Sequence, residues 1–137
     1  MQSEKISEVR VCIQKAANDL RGADINLNVS PPLIEDALVH CQQVAEKAMK
    51  GFLTMHDKIF PKTHDLDELA SLCEEVDSSL ENVLEKALDL TVFAWIFRFP
   101  GDMKVPSKEE ALQYLSIARQ VYDSILSRLP KEVSPDS

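Results

Sequence analysis

Several things are scarce in this 137-residue chain, and each scarcity removes a class of protein. Glycine occurs only three times and β-branched runs are few, which argues against a sheet. No apolar run approaches the roughly 20 residues needed to cross a bilayer. The first residues, MQSEKISEVR, contain no apolar segment of the kind a secretory signal needs, so a cytoplasmic location is expected. The three cysteines, Cys12, Cys41 and Cys73, form no CxxC pair and each lies in a helical pattern. They read as small buried hydrophobes in a reducing compartment. The three histidines have no metal spacing: there is no HxxxH or HExxH, and neither metal nor cofactor is expected. Glycine-rich phosphate loops, nucleophile elbows and paired catalytic carboxylates are missing as well. A net charge of −8 disfavours non-specific duplex binding, which needs a broad basic surface.

What the chain does contain is helical periodicity. Its length suits one domain that buries roughly 70% of the surface of the unfolded chain. Ile6, Val9, Ile13, Ala16, Leu20, Ala23 and Leu27 alternate spacings of three and four, a narrow seam on a first helix from about Ser3 to Leu27. Ser30 is the expected N-cap of a second helix from about Pro31 to His56, with Ile34, Ala37, Leu38, Cys41, Val44, Ala45, Ala48 and Phe52 inward. A short third helix begins at Asp65. A fourth, capped within Asp77–Ser79, carries Leu80, Leu84, Ala87, Leu88, Thr91 and Trp95 inward and ends at Pro100-Gly101. Ser107-Lys108-Glu109-Glu110 is a capping box that opens a fifth helix, stopped by Pro130. These elements predict an all-α fold, an antiparallel up-and-down four-helix bundle plus one short extra helix. One domain is expected over residues 1–130, with 131–137 a frayed tail.

The chemistry concentrates in HCQQVAEKAMKGFLTMHDKIFPKTHD, residues 40–65. Between His40 and His64, four lysines (Lys47, Lys50, Lys58, Lys62) face two acids (Glu46, Asp57), a local +2 that leaves −10 for the rest of the −8 total. A positive, histidine-bearing surface on an acidic body is a place to hold an anion. His40, Gln43, Lys47 and Lys50 fall nearly opposite the apolar stripe of the second helix, with Glu46 to one flank. That face is either solvated or covered by a second copy of the chain, for which amides and histidine suit better than bare charges.

Arg98 falls near the inward stripe of the fourth helix, at its C-terminus. It either complements the helix dipole or points a rigid fork at a carboxylate or phosphate, with Asp19, Glu46 and Asp65 as internal candidates. Thr63 or Asp65 caps the third helix, whose N-terminus also attracts anions, and His64 between them is either a turn residue or part of the same site.

Three blocks in order, HCQQVAEKAMKGFL, PKTHDLDEL and FRFPGD, together with Ala16 to Leu20 in the first helix, resemble the HEPN domain family (higher eukaryotes and prokaryotes nucleotide-binding) over roughly residues 6–128. The resemblance implies a helical bundle, a homodimer in bacteria or archaea, and a companion minimal nucleotidyltransferase in a toxin–antitoxin-like pair. Some members are metal-independent ribonucleases using an arginine followed four to six residues later by a histidine. Here FPGDMKVPS follows Arg98, with no histidine in that window. The general acid–base group is missing from its place. The resemblance therefore implies a non-catalytic module for a nucleotide or phosphate-type ligand, bound by His40, Gln43, Glu46, Lys47, Lys50, Thr63, His64, Asp65 and Arg98. An endoribonuclease toxin acting on RNA with a displaced histidine, and a structural dimerisation domain, are the alternatives.

Overall fold

The computed structural model describes residues 2–98 and 105–135, with the backbone alone of Arg98. It is an all-α helical bundle. The long helices are α1 (Gln2–Asn28), α2 (Ile34–Met55) and α5 (Lys108–Leu126); α3 (Leu66–Val76) and α4 (Glu81–Ala87) are shorter. Short 3-10 segments occupy Ser78–Leu80, Leu88–Ala94, Ile96–Arg98 and Lys131–Val133. Among the described residues no helix is long and apolar enough to cross a membrane.

The α1 seam is where its spacing places it: Val9, Ile13, Ala16, Ala23 and Leu27 are fully buried. It runs antiparallel to α2, because the Cys12–Ile13 end of α1 lies at Gly51 and the Gly22 end at His40. A Cβ on Gly51 would stand 3.1 Å from the Cys12 Cβ and 3.3 Å from the Ile13 Cδ1, so the absence of a side chain here lets the two helices approach closely. α2 is the central element, packed against α1, α3, α5 and the Leu88–Ala94 segment. It begins at Ile34 rather than Pro31, and Leu33 at its N-cap position makes no side-chain cap. Ser30 and Pro31 each precede a proline, which disfavours helical backbone at both and delays the start. The Leu33 N–H instead donates to the Asn26 carbonyl at 2.8 Å, closing the corner.

The fourth helix differs most from expectation. α-Helical winding stops at Ala87 and gives way to 3-10 turns. The reason is a second periodicity in the same residues. Leu84, Ala87, Leu90 and Phe93 recur every third position and are all buried, as a helix with three residues per turn requires. Phe93 then stacks on Phe97, with ring centroids 5.9 Å apart, and meets Tyr114 of α5 edge-on at 5.0 Å. Tightening the turn moves Trp95 off the core, leaving it 41% exposed. The expected stop at Pro100-Gly101 lies outside the described residues.

Ser107 does form the capping box of α5: its hydroxyl accepts from the Glu110 N–H at 3.1 Å, and Glu110 accepts from the Ser107 N–H at 3.0 Å. The expected fray after Pro130 does not hold for residues 131–133. Val133 is fully buried and the Glu132 carbonyl accepts from Arg10 Nε at 2.8 Å, which ties this turn to α1.

Candidate functional site

Two buried carboxylates organise the polar side of α2. Asp19 of α1 is 8% exposed, and it accepts from His40 Nδ1 at 2.7 Å and from Lys47 Nζ at 2.6 Å. The His40 ring lies flat against α1 because residue 22 is glycine, whose Cβ would stand 3.0 Å from His40 Nε2. One turn along α2, Glu46 is also 8% exposed. It accepts from Gln42 Nε2 at 2.9 Å, Lys50 Nζ at 3.0 Å and His64 Nδ1 at 2.8 Å. Gln42, 1% exposed, also donates to the His64 carbonyl at 3.3 Å, fixing the loop that carries the histidine.

Burial by itself would raise the Glu46 carboxyl. The hydrogen bonds from Gln42, His64 and Lys50, with the Lys50 charge, outweigh it and hold the group below its ordinary value. Glu46 is therefore ionised at neutral pH. An ionised carboxylate beside Nδ1 keeps the proton on that nitrogen, so in the neutral imidazole Nε2 is the acceptor.

The face that holds His40, Lys47 and Lys50 is thus partly covered from within the chain, by α1 and the loop before α3, with all three side chains half-buried. With the histidines neutral, the two lysines and two carboxylates sum to zero, so the local positive charge read along the sequence is largely cancelled in space. Gln43 is half-buried on the same side and makes no hydrogen bond among the described residues. Thr63 Oγ1 accepts from the Asp65 N–H at 2.9 Å, and Asp65 Oδ1 caps α3 by accepting from the Asp67 N–H at 3.0 Å.

Beyond His64 lies a pocket of about 430 Å³, lined by His64, Asp65, Thr91, Ala94 and Trp95. The His64 side chain is 67% exposed although its Nδ1 is held. Thr91 Oγ1 accepts from the Leu66 N–H at 3.1 Å, joining the 3-10 segment to the start of α3. His64, Asp65 and the wall before Arg98 therefore meet at one place, whereas His40 and Lys47 belong to the separate Asp19 cluster. The Arg98 side chain and residues 99–100 of the R-F-P block lie outside the described residues. Among the described residues, no group of three or more His, Cys, Asp or Glu side chains is placed to hold a metal.

The HEPN domain family model matches residues 9–129. The chain belongs to the HEPN domain family. Searches of curated proteins and of solved structures gave no match. Within this HEPN bundle, spacing does not point to Gln42 or Trp95 as site residues, and Asp19, expected as one candidate partner for Arg98, holds His40 and Lys47. A signal existed for Asp19, which interrupts the buried run Ala16, Leu20, Ala23 with a charge.

Proposed function

We propose that this HEPN domain is a non-catalytic module that binds a nucleotide, with the base in the His64–Trp95 pocket and the phosphate directed outward. One observation carries the reading. A half-exposed indole and a histidine fixed by a buried carboxylate line the same pocket, whose 430 Å³ suits a small ligand. Aromatic faces stack on bases of any sequence, and a fixed imidazole adds direction. Lys47 and Lys50 act indirectly, by neutralising Asp19 and Glu46. Arg98, three residues after Trp95, is the cation assigned to the phosphate. Isothermal titration against ATP, GTP and AMP tests this: a saturable heat that His64→Ala weakens at least about tenfold supports it. No heat with any of the three contradicts it.

The wider setting belongs to the same proposal: a homodimer acting beside a minimal nucleotidyltransferase in a toxin–antitoxin-like pair. It is supported by family membership and is checked by light scattering of the purified chain and co-purification with the adjacent gene product.

The Glu46–His64 pair favours a second reading, metal-independent RNA cleavage. A carboxylate-held imidazole with Nε2 free to accept a 2′-hydroxyl proton is the arrangement a general base needs. Expression that slows growth and is relieved by His64→Ala would select it. Harmless expression and intact RNA eliminate it.

A further inference from the structure

The polar groups around the His64–Trp95 pocket are not evenly divided between donors and acceptors. Asp65 Oδ1 is engaged by the Asp67 N–H, and Oδ2 has no hydrogen-bond partner among the described residues. His64 Nδ1 is held by Glu46, which leaves Nε2 as an acceptor. Thr91 Oγ1 already accepts from the Leu66 N–H, so its own proton is the group it offers. Two acceptors and one hydroxyl donor are therefore carried by residues that line the pocket together with Trp95, and among the described residues no lysine or arginine lines it.

We propose, resting on the nucleotide reading above, that this pocket selects a guanine base over the other common bases. The Watson–Crick edge of guanine carries adjacent donors, N1–H and the 2-amino group, beside the acceptor O6. Asp65 and His64 match the donors, and the Thr91 hydroxyl matches O6. Adenine offers one amino donor next to an acceptor nitrogen, which would face the Asp65 carboxylate and leave both lone pairs unmatched. Uracil offers a single donor, N3–H, flanked by two acceptor oxygens, so only one of the two acceptors is matched. The carboxylate at the pocket also disfavours a phosphate inside it, which orients the ligand base-first.

The test uses Trp95, the one tryptophan in the chain, as reporter. Its fluorescence is followed during titration of the full chain with GMP, IMP and AMP. IMP differs from GMP only by lacking the 2-amino group. Binding of IMP at least about tenfold weaker than GMP is expected, with AMP weaker as well. Asp65→Asn keeps a good N-cap for α3 but turns an acceptor into a donor, and it should bring GMP and IMP within about twofold of each other. Circular dichroism confirms that this variant is folded. Equal affinity for GMP and IMP in the natural chain overturns the guanine assignment while leaving the nucleotide site standing. A preference that survives Asp65→Asn overturns it too. Absence of binding by all three overturns both readings.

Discussion

Glu46 is the residue on which most of the local structure depends. It is nearly buried, and three side chains from three positions converge on it: Gln42, Lys50 and His64. Replacing it with glutamine keeps the shape but removes the charge that matches Lys50 and His64, a loss of about 2–3 kcal/mol. Urea unfolding at neutral pH measures it. The acid limb gives a second reading. The folded value lies below the ordinary 4.5, so this stabilisation is complete above 4.5 and is lost as pH falls through the folded value. Glu46→Gln should therefore show a shallower decline in stability below about pH 4.5 than the natural chain, and equal slopes would show that Glu46 is not the titrating support. Helical spacing places Glu46, Lys47 and Lys50 on one helix, but it points to Gln43 rather than Gln42, whereas Gln42 is the amide enclosed between Glu46 and the His64 loop. Both are glutamines one position apart, and only the position of the His64 loop decides which amide is enclosed. Asp19 was legible as an anomaly in an apolar seam, yet its partners sit 21 and 28 residues away, beyond the reach of helical spacing.

At the level of elements, α1, α2, α3 and α5 were readable because each carries one periodicity, reinforced at α3 and α5 by the caps Asp65 and Ser107. The segment after Ala87 carries two. An α-helical stripe through Leu84, Leu88, Thr91 and Trp95 competes with the every-third run Leu84, Ala87, Leu90 and Phe93. The second prevails because it buries Leu90 and Phe93, stacks Phe93 on Phe97 and sets it edge-on to Tyr114. The consequence for function is direct: the tighter turn exposes Trp95 and points Thr91 at the start of α3, creating the pocket wall. Paired truncations discriminate the two periodicities. Leu90→Ala should cost about 3 kcal/mol and Leu88→Ala, half-buried, about 1. The reverse order in thermal or denaturant unfolding would restore the α-helical stripe. Cys41 and Cys73 follow the simple expectation for buried thiols. Burial pushes each up to about 12, so both stay protonated at neutral pH.

For the whole molecule, the acidic composition is organised around an electrically balanced interior. Three of the four lysines that look like a basic island along the chain, Lys47, Lys50 and Lys58, face the carboxylates of Asp19, Glu46 and Glu75 in space, and the HEPN bundle holds α2 at its centre. The surface left for a ligand is therefore defined less by charge than by shape, an indole and a fixed histidine at one end of the bundle. Net charge describes the chain correctly but does not locate the site, since the pairing that cancels it is set by tertiary contacts. The account rests on that indole sensing a bound base. Because the chain has one tryptophan, the ¹H–¹⁵N spectrum of the labelled protein contains a single indole cross-peak from Trp95. Titration with GMP should move this peak saturably, and His64→Ala should weaken the shift. A cross-peak that stays in place at millimolar GMP, in a protein whose remaining spectrum is that of a folded chain, would contradict the account.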